Sequence, residues 1–356
     1  AAIVLKEIVK RNPQIPAEEI EDVILGCANQ AGEDNRNVAR MASLLAELPI
    51  KIGGETVNRL CASGMAAIAN AYRAIAIGEG DFYIAGGVEQ MTRAPYVLSK
   101  SAQPFGRDVQ LFDSSFGWRF VNPKMKELYG VDGMGETAEN LAEIYKISRE
   151  AQDEFALLSQ QKATSAQNSG RLAQEIVNVE IPQKKGEPKI FSQDEFVKPD
   201  TTLDKLAKLR PAFKKEGGSV TAGNSSGLND GAAAMILASE DAVKKYNLKP
   251  LAKIISSAVV GVEPRIMGIG PVEATKKALS RANLSLEDMD IIELNEAFAA
   301  QALSVLQELG IDAKDERLNP NGGAIALGHP LGMSGTRIVG TAALELQKKN
   351  KKYALC

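Results

Sequence analysis

The sequence predicts an α/β protein built from two related halves, each a largely parallel sheet covered by helices, with a charged segment inserted in the first. Three observations carry this. Apolar strand-like runs alternate with helical stretches along the chain, the pattern of strands joined by crossover helices. Two stretches of the second half repeat the element order of the first. Between about residues 97 and 218 the composition turns charged and rich in turn residues. At 356 residues, and roughly 150 residues per domain, two or three domains are expected.

Taken in order, AIVLKEIVKRN reads as an amphipathic helix with a basic end, and EDVILG as a buried strand. ANAYRAIAIGEG continues as helix into the strand DFYIAGG, and AAAMILAS is a further strand. VEATKKALSRAN is helical and DIIELN a strand. None of these strands alternates cleanly, as expected of strands covered on both faces. The repeat sets AIVLKEIVKRNPQIPAEEIEDVILG against VEATKKALSRANLSLEDMDIIELN. It also sets CASGMAAIANAYRAIAIGEGDFYIAGG against GHPLGMSGTRIVGTAALELQKKNKKYALC, which places Cys356 inside a last strand as a structural residue. SREAQDEFALLSQQKA is a helix within the charged segment, which is expected to cover the site. The expected domains are a first half of residues 1–97 plus 217–248, an insertion of 98–216, and a second half of 249–356.

Composition excludes several classes. Hydrophobic content of 44%, charged content of 24% and a net charge of -3 lack the basic excess of nucleic-acid or anionic-membrane binders. No apolar run approaches the roughly 20 residues of a membrane span. Three scattered cysteines, Cys27, Cys61 and Cys356, form neither a disulfide framework nor a zinc pattern. No metal is expected, and a reducing compartment, the cytoplasm or an organellar matrix, fits best.

Cys61 lies where the strand-like ETVNRL gives way to an alanine-rich helix. The N–H groups and partial positive charge there favour a thiolate and can bind an oxyanion; the plainer alternative is a small core residue, which suits Cys27 well. His329, the only histidine, sits in NPNGGAIALGHPLGMSGTR before a proline suited to a first helical turn. A helix N-terminus keeps an imidazole neutral, as a general base for a thiol must be, although a lone histidine is often structural. The flanking glycines leave room for close approach of a ligand or backbone. VTAGNSSGLNDGAAA offers many N–H groups and hydroxyls but matches no nucleotide fingerprint, so alone it reads as a connector. Asn295 follows the strand DIIEL at a sheet edge where ligands bind; its alternative is a helix N-cap.

In this order, NRLCASGMAAI, GGVEQMTRAP, VTAGNSSGLNDGAAA, NEAFAAQA and NPNGGAIALGHPLGMSGTR resemble the signature blocks of the thiolase family, nearly end to end. The resemblance implies a duplicated, layered α-β-α-β-α fold with an inserted loop domain. It implies an acyltransferase in which Cys61 takes the acyl group of a 3-oxoacyl-CoA, releasing acetyl-CoA, and passes it to coenzyme A, or runs the reverse Claisen condensation. By the same resemblance His329 deprotonates Cys61 and Asn295 fixes a water in the oxyanion hole. Ser226 and Phe298 line the pantetheine channel, and Met134 borders the acyl pocket. No cofactor is implied beyond coenzyme A as substrate, and the partners are acyl-CoA and CoA, with a homodimer or homotetramer expected. SSFGWRFVNPKMKELYGVD resembles thiolases acting on 3-oxoadipyl-CoA more than acetoacetyl-CoA thiolases, many of which carry a histidine where Gly133 stands. Arg119 or Lys124 then either neutralises a dicarboxylate or belongs to a solvated basic loop.

The family pattern continues past the last strand into a Cys-x-Gly turn bearing a second acid/base cysteine, and precedes the first helix with a strand and an Arg-Thr-Pro segment. The expectation is that this sequence is a portion of a longer protein with that cysteine just beyond Cys356. The alternative function is a thiolase-like CoA- or lipid-binding protein without turnover. A ketoacyl synthase of the same superfamily fits poorly, because such sites commonly use two histidines and only His329 is present.

Overall fold

A computed structural model describes residues 1–356. The chain opens with α1 (Ala2–Arg11), β1 (Ile20–Gly26), α2 (Val38–Leu45), β2 (Glu55–Val57), α3 (Ser63–Ala76) and β3 (Phe82–Glu89). A hairpin of β4 (Tyr96–Leu98) and β5 (Leu111–Asp113) follows, then α4 (Pro123–Tyr129), α5 (Met134–Ile144) and α6 (Arg149–Asn168). A second hairpin, β6 (Val179–Ile181) and β7 (Lys189–Phe191), leads to α7 (Leu203–Ala207), β8 (Gly231–Ala238) and α8 (Glu240–Lys245). The chain ends with α9 (Gly270–Ala282), β9 (Ile291–Ile292), α10 (Ala299–Leu309), α11 (Ala324–Leu327), α12 (Leu331–Lys349) and β10 (Ala354–Leu355).

Two sheets organise the core. The first has strand order β2-β1-β3-β8, and the second pairs β9 with β10. β1 runs parallel to β2 and β3, and β9 parallel to β10. The expectation of parallel strands needs one correction: β8 is antiparallel to β3, from Phe82 opposite Ala238 to Glu89 opposite Gly231. Apolar runs report burial and not strand direction, so the sequence had no means of showing this.

The layers follow from which faces are apolar. Leu5 of α1, Ala39 and Ala42 of α2 and Ala242 of α8 pack on one face of the first sheet against Val23, Leu25, Phe82 and Ile84. Its other face, through Ile24, Tyr83, Ala85 and Leu237, meets Ala67, Ile68 and Ala71 of α3 and Val339 of α12. Beyond that central pair lies the second sheet, whose Ile292 packs with Ala299, Ala302 and Leu306 of α10, Leu279 of α9 and Phe155 of α6. The result is α-β-α-β-α. The repeat is visible in it: α1 and β1 correspond to α9 and β9, and α3 and β3 to α12 and β10.

This symmetry brings the starts of α3 and α12 together. A Cβ on Gly64, in the first turn of α3, would lie 2.7 Å from the Gly332 carbonyl oxygen and 2.8 Å from the Thr336 nitrogen. Both obstacles are backbone, so Gly64→Ala forces the helices apart, with an expected loss of about 3 kcal/mol. Gly261, where an added Cβ meets nothing within 4 Å, supplies the contrast: Gly261→Ala should change stability by less than about 0.5 kcal/mol. Urea unfolding of both variants reads the difference; equal midpoints would refute the close approach. No helix is long and apolar enough to cross a membrane.

Candidate active site

Cys61 is held by a tight turn between β2 and α3. Asn58 anchors it, its Nδ2 donating to the Ala28 carbonyl at 2.8 Å while its Oδ1 accepts from the Leu60 nitrogen at 2.9 Å. Ser63 Oγ accepts from the Arg59 nitrogen at 2.8 Å and donates to the Leu60 carbonyl at 2.6 Å. Leu60 is thereby forced to φ +49°, a left-handed conformation that costs a branched side chain about 1–3 kcal/mol. The surrounding bonds sustain that strain and turn Cys61 to the mouth of α3.

Part of Cys61 opens on a cavity, yet burial pushes its thiol up to about 11. This corrects the expectation of a thiolate favoured by the helix end: desolvation of the charged form outweighs the helix N–H groups. At rest Cys61 is a thiol. Cys27, directly after β1, is fully buried, with its sulfur 3.5 Å from Asp34 Oδ2, and burial raises its thiol further still.

His329 occupies the corresponding place in the second half, between α11 and α12. Gly328 takes φ +89°, which only glycine adopts freely, and a Cβ there would meet the Asn229 side chain at 2.5 Å. Asn229 Oδ1 in turn accepts from the His329 nitrogen at 3.1 Å. The imidazole is 3% exposed, and burial, with a smaller contribution from Arg337, lowers it to about 4. It is neutral as expected, but burial leads as the cause.

The hydrogen bonds fix the tautomer. Ser334 Oγ donates its single proton to the Pro330 carbonyl at 3.0 Å and lies 2.6 Å from His329 Nδ1. With the hydroxyl proton so placed, Nδ1 carries the ring proton and donates to Ser334, and Nε2 is left as the acceptor. Asn295 Nδ2 faces that nitrogen at 3.3 Å. No hydrogen bond joins Cys61 to His329; the two face the same cavity.

That cavity, about 1840 Å³, is lined by Cys61, His329, Asn295, Ser226, Phe298 and Met134, the six residues to which the resemblance gave roles. Asn295 is not an N-cap: α10 begins at Ala299 with Phe298 before it, and Asn295 Oδ1 is buried without a partner. Ser226 donates through both its nitrogen and its Oγ to the Ala297 carbonyl, each at 3.0 Å. Phe298 stands edge-on to Phe213, with centroids 6.0 Å apart. Met134 is the first residue of α5. Arg119 reaches the cavity, whereas Lys124 does not; it is exposed and pairs with Glu127 one turn along α4 at 3.1 Å.

Sequence reasoning passed over three residues that hold this arrangement. Glu89, buried at the end of β3, accepts from the nitrogens of Ala28 at 3.0 Å, Asn29 at 2.9 Å and Gly332 at 2.8 Å. It thus caps the start of α12 from the other half of the molecule. Asp230 accepts from the nitrogens of Met91 at 2.7 Å and Thr92 at 3.0 Å, and Asn229 holds His329. All lie within GGVEQMTRAP and VTAGNSSGLNDGAAA; polar residues inside otherwise small-residue blocks were the available signal.

An apolar cavity with a half-buried thiol and a neutral imidazole at two facing helix starts is the site of an enzyme that works through a cysteine nucleophile. The thiolase N-terminal domain family matches residues 1–241 and the thiolase C-terminal domain family residues 248–356. The chain is 58% identical over 356 residues to the 3-oxoadipyl-CoA/3-oxo-5,6-dehydrosuberyl-CoA thiolase of Escherichia coli (strain K12), covering 100% of this chain and 88% of that one. It is 58% identical over 355 residues to a beta-ketoadipyl-CoA thiolase of Acinetobacter baylyi, with the same coverage. It is 50% identical over 336 residues to a probable acetyl-CoA acyltransferase of Staphylococcus epidermidis, covering 94% of this chain and 83% of the relative. The crystal structure of the Bacillus anthracis acetyl-CoA acetyltransferase superposes with TM-score 0.91 at 42% identity, over 100% of this chain and 88% of that one. The chain belongs to the thiolase family, and it is an acyltransferase.

Proposed function

We propose that the protein cleaves 3-oxoadipyl-CoA with coenzyme A through an acyl-Cys61 intermediate. His329 Nε2 takes the Cys61 proton, and the sulfur attacks the C3 carbonyl. Collapse of the resulting oxyanion breaks the C2–C3 bond; the two-carbon fragment is protonated at C2 and leaves as acetyl-CoA, and the four-carbon acyl group stays on Cys61. Coenzyme A attacks that thioester and releases succinyl-CoA and the free thiol. Asn295, with its unpartnered Oδ1, holds a water toward the oxyanion. Ser226 and Phe298 face the pantetheine arm, and Met134 the acyl chain.

The observation that carries this reading is a neutral His329, with Nε2 left as an acceptor beside Asn295, lining the same cavity as Cys61. The substrate rests on relatives named for 3-oxoadipyl-CoA at 58% identity across the whole chain. Parallel thiolysis of 3-oxoadipyl-CoA and acetoacetyl-CoA tests it: kcat/KM is expected to favour the six-carbon substrate by about 10-fold or more, and a preference for acetoacetyl-CoA would overturn the assignment. Assembly into a homodimer or homotetramer belongs to the same reading. It is supported by the hairpin β4–β5, where Leu98 opposite Leu111 and Tyr96 two residues before are all exposed. In the same reading the chain divides into a first half of residues 1–97 plus 217–248, an insertion of 98–216 and a second half of 249–356.

A further inference from the structure

We propose that Arg119 is the residue that binds the free carboxylate of the acyl chain and so selects a dicarboxylic substrate. This rests on the reading of 3-oxoadipyl-CoA as substrate and deepens it. The loop between β5 and α4 lines the cavity through Ser114, Phe116, Trp118, Arg119 and Phe120, giving apolar walls around one charged group. Of the arginines lining that cavity, Arg59 and Arg73 are exposed and Arg119 is half-buried.

Arg119 is positioned but electrostatically unanswered. Its Nη2 donates to Asn29 Oδ1 at 2.8 Å, a neutral acceptor, and it forms no ion pair with any carboxylate. Among the residues that line the cavity the sole carboxylate is Glu293, which is paired with Arg337 at 3.1 Å. A half-buried guanidinium with one neutral partner retains N–H donors in a fork that matches a carboxylate.

Its support is shared with the nucleophile. Asn29 is fixed by its own nitrogen to Glu89 Oε1 at 2.9 Å, and the preceding residue, Ala28, accepts at 2.8 Å from Asn58, which shapes the Cys61 turn. On the other side Trp118 Nε1 donates to the Asp132 carbonyl at 3.2 Å, two residues before Met134. Arg119 is therefore tethered between the Cys61 turn and the start of α5, the place for the far end of a short acyl chain. In the reaction above the carboxylate is present in the substrate and remains on the four-carbon acyl group carried by Cys61, so the contact persists through both half-reactions.

The test compares kcat/KM for 3-oxoadipyl-CoA with that for 3-oxohexanoyl-CoA, which has the same chain length and a methyl in place of the carboxylate. In Arg119→Gln the ratio is expected to fall by about 100-fold, the effect of removing a charge-assisted hydrogen-bonding partner. Arg119→Lys keeps the charge but not the fork and should restore part of it, and Lys124→Gln should leave the ratio alone. A ratio unchanged in Arg119→Gln overturns the assignment. A wild-type protein that does not favour the dicarboxylate overturns instead the substrate reading on which it rests.

Discussion

Replacing Cys61 by alanine is expected to lower thiolysis by about 10⁴-fold or more while leaving the fold intact. The magnitude follows from the role: without a nucleophile neither half-reaction has a covalent route, and what remains is substrate binding beside water. The fold should tolerate the change, because the Cys61 side chain makes no hydrogen bond to another residue and is not part of any hydrophobic core cluster. Stability is expected to shift by less than about 1 kcal/mol. Steady-state thiolysis and urea unfolding of the same preparation separate the two effects. Activity within about 10-fold of wild type would remove Cys61 from the chemistry.

The second large effect is at His329. His329→Asn is expected to lower kcat by about 10³-fold, within the range for loss of a general base, and to change the pH dependence. Because burial holds the imidazole at about 4, the wild-type acid limb should lie near pH 4 and not near the ordinary 6.5. Below that limb the ring is protonated and cannot take the Cys61 proton. Stability follows the same group. The folded value is depressed, so its contribution is whole above pH 6.5, where the unfolded chain is also neutral, and is lost as pH falls toward 4. Over that window the wild type should lose about 3 kcal/mol more than the asparagine variant. An acid limb near 6.5, or identical pH–stability curves, would contradict a buried, neutral His329.

The fold was legible where burial dictates pattern. α1 with β1 and α9 with β9 were readable as a repeat because each buries one apolar stripe and one two-sided strand, and such constraints write themselves into every turn of sequence. α3 and α12 were readable from small residues followed by long helices. The direction of β8 was not, since hydrogen-bond polarity leaves no mark on side-chain hydropathy. At the site, Cys61 and His329 could each be placed at a helix start from the residues, but it was the resemblance to the thiolase signature blocks that singled them out. Their protonation states depend on how much water reaches them, which is a property of the packed molecule: hence a thiol at Cys61 where a thiolate was expected.

The polar supports divide the same way. Asn229, Asp230 and Glu89 act across sixty or more positions of sequence on backbone groups, and no local pattern encodes such a partner. Asn295 was ambiguous between a cap and a site residue until the start of α10 was fixed at Ala299. Arg119 and Lys124 were equivalent as charges in one loop; Asn29 holds the first at the cavity and Glu127 the second at the surface.

The central claim is that Cys61 carries the acyl group. Incubating the protein with 3-oxoadipyl-CoA in the absence of free coenzyme A, quenching in acid and mapping peptides by mass spectrometry tests it most directly. A succinyl mass on the peptide containing Cys61 is the predicted result, with Cys27 unmodified. Acylation of Cys27 or Cys356 in its place, or release of acetyl-CoA with no acyl group on the protein, would contradict it.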